Sequence, residues 1–318
     1  MSGEIGSDDV APGGAGSLGA GMDRAETRAG FVALAGRPNV GKSTLVNAMV
    51  GSKVAIVSDR PQTTRRAIRG VITDGDRQLV VVDLPGVQRP RDTLTARMAG
   101  RVREELAGAD AALLVLNGEQ GVGPGDRFIA RVLAEAGTPV AIALNKIDRL
   151  DRAQTLIALE QAAALGLDGE VFPISARTGA GVQALLAHLG ARLPAGPFLF
   201  DARERSDQPR ELLLAELIRE AAIRRTREEL PHALEVVIEE LERPRADLVR
   251  VRALLWVETA SQKGIVVGAQ GRMVKAIGSA ARRELERELG SQVHLDLSVR
   301  VRRDWRADEG LLDRLGLT

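Results

Sequence analysis

From Phe31 onward the chain alternates short, continuous apolar runs with longer stretches whose apolar residues fall three or four apart. The runs FVALA, QLVVVDL, AALLVLN, PVAIALN and EVFPIS read as parallel strands buried on both faces. The stretches between them, Thr93 to Gly108, Asp126 to Gly137, Ala153 to Gly166 and Val182 to Leu193, have helical length and spacing. This order predicts an α/β domain, doubly wound on a mostly parallel sheet, over residues 29–193. PAGPF and the polar stretch after it predict a linker over 194–210. Beyond it, Glu211 to Glu229 reads as a charged amphipathic helix stopped by Pro231, and HALEVVIEEL, DLVRVRALLWVE and QVHLDLSVRV alternate at period two. In the last of these Val293, Leu295, Leu297, Val299 and Val301 share one face, and His294, Asp296, Ser298, Arg300 and Arg302 the other. Between the second and third strands lie Gly268-Ala269-Gln270-Gly271 and the helical RMVKAIGSAARRELEREL. The order helix, strand, strand, helix, helix, strand predicts a smaller α+β domain over 211–318, with no internal repeat.

Residues 1–28 mix Gly, Ser, Ala and acid with few large apolar side chains; they cannot bury enough surface to offset the entropy of ordering, and a disordered tail is expected. The 44 Lys+Arg nearly balance 43 Asp+Glu, so attraction to nucleic acid or membrane must come from local clustering. With no Cys and only three scattered His, disulfide frameworks, thiol nucleophiles and Cys/His zinc sites are excluded. No apolar run reaches the roughly 18 residues that span a bilayer, and the N-terminus does not read as a signal peptide. A cytoplasmic location is expected, free or in peripheral association with the cytoplasmic face of the inner membrane.

Gly36-Arg37-Pro38-Asn39-Val40-Gly41-Lys42-Ser43 fits G-x-x-x-x-G-K-[ST] and falls between a strand and a helix, where such a loop wraps backbone N–H groups round a triphosphate. The two glycines permit close approach, Lys42 reaches the β and γ phosphates, Ser43 offers a hydroxyl to Mg²⁺, and Thr44 completes the candidate loop. Asn145-Lys146-Ile147-Asp148 follows a strand; the Asp148 carboxylate can accept from both N1–H and the 2-amino group of guanine, which adenine cannot satisfy. Ser175-Ala176-Arg177, after the last strand, would set a backbone N–H beside guanine O6. Asp83-Leu84-Pro85-Gly86 closes a strand. There Asp83 would hold Mg²⁺ through water, and the Gly86 N–H would follow the γ phosphate. Thr63 and Thr64 are both candidates for the switch threonine, Thr64 being preferred. Lys42, Thr64, Asp83 and Gly86 form the expected catalytic set. Val87 stands where fast Ras-like enzymes carry a water-positioning Gln, so slow GTP hydrolysis is expected unless another group compensates.

These segments, with EELPHALEVVIEEL, IVVGAQGRMVKAIGSAAR and DWRADEGLLDRLGL, resemble the Era family of bacterial ribosome-assembly GTPases over Phe31 to Leu317. The resemblance implies a P-loop GTPase domain followed by a type II KH domain, and binding of the 3′ end of small-subunit ribosomal RNA and of the small ribosomal subunit. It further implies an apolar residue in place of the catalytic Gln and, as in some relatives, an Asn at the place of Asn39 that helps bind K⁺. Arg177 stands where relatives vary, and residues 1–28 are not covered. Because Met22 opens a stretch resembling a complete family N-terminus, translation from Met22 is expected. GAQG then becomes the G-x-x-G clamp of a KH domain, holding the backbone of single-stranded RNA, with Lys263, Gly268, Ala269, Gln270, Gly271, Arg272, Lys275 and the strand-end arginines as footprint. Arg282 and its neighbours in RRELERE read as ordinary helix-surface pairing. A monomer is expected. The competing reading is a peripheral-membrane or cell-cycle signalling GTPase whose basic C-terminal face meets anionic lipid; it needs only charge and leaves the glycine clamp without a purpose.

Overall fold

The computed structural model describes residues 27–58, 64–86, 92–228 and 230–317. The tail from 1 to 26, Thr63 and Val87 lie outside the described residues.

The first unit runs β1 (Arg28–Ala35), α1 (Lys42–Val50), β2 (Ile68–Asp74), β3 (Arg77–Asp83), α2 (Thr93–Ala107) and β4 (Ala111–Asn117). It continues through α3 (Pro124–Ala136), β5 (Val140–Asn145), α4 (Arg152–Ala163), β6 (Val171–Pro173) and α5 (Val182–Ala191). The sheet order is β2-β3-β1-β4-β5-β6, parallel except where β2 runs antiparallel to β3. One apolar layer packs α1 and α5 on one face of the sheet and another packs α2, α3 and α4 on the other. The five continuous runs are therefore strands, but the sheet has a sixth member. Ile68–Asp74 is less apolar than its neighbours because it is an edge strand; its local signal is Asp74-Gly75-Asp76, a hairpin turn with Gly75 at φ 59°.

Two stretches make contacts that the sequence reading does not give. The chain is already ordered at Thr27: Gly196 N–H donates to the Thr27 carbonyl at 2.9 Å, the Arg28 guanidinium to the Leu193 carbonyl at 2.8 Å. The 194–210 linker is tied to the first unit. The Gln78 side-chain oxygen accepts from the Leu199 and Phe200 amides, and Val71 N–H donates to Arg205 O. These partners lie far apart in sequence, so no local pattern announces them.

The second unit contains α6 (Arg210–Ile223), α7 (Leu230–Ala233), β7 (Glu235–Arg245), β8 (Leu248–Val257), α8 (Ala260–Val267), α9 (Arg272–Leu289), β9 (Gln292–Val301) and α10 (Glu309–Arg314). The sheet order is β7-β8-β9; β7 is antiparallel and β9 parallel to β8, so α8 and α9 form the crossover. Helix α9 buries Ile277, Ala281, Leu285 and Leu289 at i, i+4 spacing against this sheet and α6. Helix α6 is shorter than Glu211 to Glu229 and is no surface helix. Every residue from Leu214 to Ile223 is buried, including Glu216, Arg219 and Glu220. It ends at Ile223, where Thr226 turns its hydroxyl back to the Ala222 carbonyl and Glu228 adopts φ 56°; Pro231 lies inside the next short helix. A fourth apolar cluster joins Leu94 and Met98 of α2 to Trp305, Leu311, Leu312 and Leu317 of the C-terminal segment.

Candidate nucleotide and nucleic-acid sites

The phosphate loop leaves β1 and enters α1, as a parallel sheet requires of a ligand site at the carboxyl ends of its strands. A Cβ on Gly36 would lie 2.6 Å from the Val115 carbonyl, and Gly41 takes φ 103°, so both positions exclude a side chain. Lys42 is buried under its own loop, donating to the carbonyls of Gly36 at 3.0 Å and Arg37 at 3.2 Å. Burial lowers its pKa to about 8, against the opposing pull of Asp83. Arg37 turns away from the loop: its Nε donates to Asp126 of α3 at 2.9 Å, so of its atoms only the backbone faces Lys42. The Arg37 side chain is structural.

Ser43, Thr64 and Asp83 converge beside this loop. Ser43 Oγ donates to Asp83 Oδ2 at 2.6 Å, Thr64 Oγ1 to the same oxygen at 3.2 Å, and the two hydroxyls are 2.9 Å apart. The Asp83 carboxyl is pushed up by burial, against Lys42 and the two hydroxyls. Its Oδ1, also buried, has no hydrogen-bond partner among the described residues. A buried carboxylate oxygen without a partner, next to two hydroxyls, fits a hydrated hard cation such as Mg²⁺. Gly86 presses on the loop: a Cβ there would meet Pro38 N at 3.0 Å. Leu84 is core.

The base side of the cleft, about 480 Å³, is lined by Asn39, Thr44, Asn145, Lys146, Asp148, Ala176 and Arg177 among others. Asn145 ties its walls together, donating to Val40 O at 2.9 Å and accepting from the amides of Lys146 and Ala176 at 2.8 and 2.9 Å. Lys146, at φ 70°, sends Nζ to the Asn39 carbonyl at 3.0 Å. Asp148 accepts from Ser175 Oγ at 2.6 Å and from Arg177 at 2.7 and 3.1 Å; the Ser175 bond first, and Arg177 with it, hold its carboxyl below the usual range against the opposing effect of burial. The amides of Ser175 and Ala176 already have partners, in Ala180 O and Asn145 Oδ1. The sequence reading missed Val57 and Ser58, which line both the phosphate and base sides, and Glu119 and Gln120 beside Arg149. No motif marks these residues; the fold brings them there.

In the second unit Gly268 ends α8 at φ 71°, with a Cβ there set to fall 2.8 Å from Met273 Cβ, and Gly271 takes φ 74° at the start of α9. The two carry a single tight turn, closed by Gly271 N–H to Gly268 O at 3.1 Å, whose tip exposes Ala269 and Gln270. Lys263, Arg272 and Lys275 are arranged around it, all three exposed. A groove of about 270 Å³ runs on between α9 and β9, floored by Val274, Leu295 and Leu297 and edged by Lys275, Ser279 and Arg282. Arg282 therefore belongs to the groove; its carboxylate neighbour Glu286 is 3.8 Å away. Among the described residues no cluster of His, Cys, Asp and Glu could hold a metal ion, and no helix is long and apolar enough to cross a membrane.

Residues 31–146 match the family described as "50S ribosome-binding GTPase", and residues 229–306 the KH domain family. The chain is 46% identical to the protein named GTPase Era of Mycobacterium tuberculosis (strain H37Rv) over 297 residues, which covers 92% of this chain and 99% of the relative. A crystal structure of Era in complex with MgGDPNP and nucleotides 1506–1542 of 16S ribosomal RNA covers 92% of this chain and 99% of its own, at 34% identity and with a TM-score of 0.87. A crystal structure of an Aquifex aeolicus Era variant bound to GDP and aluminium fluoride is similar to the same degree, at 34% identity and a TM-score of 0.87.

Proposed function

The chain belongs to the Era family of GTPases, and from that premise we propose that its GTP form binds the single-stranded 3′ end of small-subunit ribosomal RNA and serves small-subunit assembly. One observation carries the reading: a guanine-nucleotide cleft and a glycine-clamped turn opening on a basic-edged, apolar-floored groove occur in one chain. The turn lets a phosphodiester approach the backbone at Gly268 and Gly271, Lys263, Arg272, Lys275 and Arg282 supply cations, and the groove floor takes bases with little aromatic stacking. Mg²⁺, when bound, spreads the charge of the β and γ phosphates; Ser43, Thr64 and Asp83 would hold it, Asp83 through water. Lys42 carries positive charge to the same phosphates, and Asp148 selects guanine. Asn39, at the mouth shared by the phosphate and base sides, is the proposed K⁺ ligand. The protein works as a cytoplasmic monomer.

The test is to crosslink the GTP-loaded protein in cells and sequence the attached RNA, beside cosedimentation with small ribosomal subunits and with anionic vesicles. Recovery of the 3′ end of the small-subunit RNA is expected. Sedimentation with vesicles but not subunits would replace this reading by the lipid-binding one.

A further inference from the structure

The two residues that follow Thr64 are held by the second unit. Arg65, the next residue, has a buried guanidinium that donates to Glu235 Oε2 and to the carbonyls of Leu234 and His232, all at 2.7 Å, and to Pro231 O at 3.3 Å. It stacks 5.3 Å from the centroid of the Trp305 ring, whose Nε1–H is fixed to Ala233 O at 3.1 Å. Arg66 follows, bonded to Glu216 at 2.9 Å and to the Leu315 carbonyl at 2.8 Å. Glu235 sits between the two arginines, and its carboxyl is held down to about 2; burial opposes this, and Arg66 leads the cations that override it. Both arginines thus face away from the nucleotide cleft, so neither supplies charge to the phosphates.

We propose that Arg65 is a positioning residue for the switch threonine: clamped by α7, Glu235 and Trp305 of the second unit, it sets the Thr64 hydroxyl 3.2 Å from Asp83 and 2.9 Å from Ser43, ready for the cation that accompanies a triphosphate. The geometry is specific to arginine. Four bonds to one carboxylate and three carbonyls need the planar fork, and a lysine ammonium can satisfy only part of that set. Because Thr64 is adjacent, a loosened Arg65 lets the hydroxyl drift from Asp83 and Ser43 while the Lys42 contacts of the phosphate loop and the base pocket keep their own bonds. The second unit would then favour the triphosphate state over the diphosphate state through switch order. The inference rests on the reading of Ser43, Thr64 and Asp83 as the Mg²⁺ site.

The experiment compares Mg²⁺·GDPNP and GDP affinities of the full chain as wild type, Arg65→Lys, Thr64→Ala and the double variant. Arg65→Lys should weaken GDPNP roughly tenfold or more, the loss expected from charge-assisted hydrogen bonds, and leave GDP within about twofold. If Arg65 acts through Thr64, the double variant should bind GDPNP no more weakly than Thr64→Ala alone. Equal weakening of both nucleotides, unchanged GDPNP affinity, or losses that multiply in the double variant would each overturn the proposal. Should Arg65→Lys not fold by circular dichroism, Glu235→Gln supports the same cycle, with the same outcomes deciding. If instead Thr64→Ala alone leaves GDPNP affinity unchanged, it is the Mg²⁺ reading that fails, and this inference falls with it.

Discussion

Lys42 shows how one residue's surroundings set the conditions of binding. Burial under the Gly36 and Arg37 carbonyls lowers its pKa to about 8, and bound phosphates would raise it again by favouring the charged form. Binding therefore takes up a proton above about pH 8, and GDP affinity should fall as pH rises beyond that value, toward about tenfold per unit. Calorimetric titrations on either side of that pH should show this slope in the wild type and lose it in Lys42→Ala, which binds weakly throughout. The selection of guanine proposed for Asp148 is local in the same way. Asp148→Asn should disfavour GTP and favour xanthosine triphosphate in competition binding, because the exchanged group now suits a C2 oxygen instead of an amino group. At Asn39, replacing Na⁺ by K⁺ should speed GTP hydrolysis, and Asn39→Ala should abolish the difference; equal rates in both salts would remove Asn39 as an ion ligand.

At the scale of elements, the two glycine-bounded turns are built by one device, glycines that let backbone come close where a helix begins. The first precedes α1 and is covered by Gly86 and Asn145; the second precedes α9 and is open to solvent at Ala269 and Gln270. Ala269→Asp with Gln270→Asp should abolish RNA binding in a filter or anisotropy assay while basal GTP hydrolysis stays near normal, since both side chains are exposed and touch no core. Undiminished RNA affinity in a folded double-Asp protein would reduce GAQG to a turn between helices. Gly268 tolerates less: its φ of 71° and a Cβ set 2.8 Å from Met273 Cβ would strain any replacement. Strand β2 shows the limit of reading elements by periodicity. Its sequence, IRGVITD, lacks the continuous apolar run of a central strand because it lies at the sheet edge, yet its partner and hairpin turn place it without ambiguity.

The whole molecule is joined where Arg65, Arg66 and α2 meet the second unit. Trp305, fully buried, packs against Leu94 and Met98 of α2, stacks on Arg65 and bonds to Ala233. Around it Arg306 pairs with Asp92, the N-cap of α2, and Arg97 with Asp313 at 2.5 Å. Trp305→Ala should cost about 3–5 kcal/mol, the usual range for removing a buried aromatic, and lower the midpoint of thermal unfolding by roughly 10 °C; calorimetry checks it. The nucleotide segments and the G-x-x-G turn were legible from the chain alone, as were most of the elements that carry or flank them, because each depends on local terms: backbone permissiveness at glycine, hydroxyl or carboxylate chemistry at one position, and a period of two or about 3.6. Asp83 and Ser43 could be assigned to one site, since strand ends of a parallel sheet share an edge, whereas Thr63 and Thr64 both stayed candidates for the third place. What the tertiary structure decided is the opposite kind of fact. Nothing in the chain near residues 65 and 66 names their partners, and Glu211 to Glu229 read as a charged amphipathic helix; in the fold both arginines bury against Glu216 and Glu235, and α6 becomes the buried helix that receives them. Those partners lie 150 to 170 residues apart, and a charge tolerates burial only when its counter-charge is delivered by packing of the two units, which no local period records.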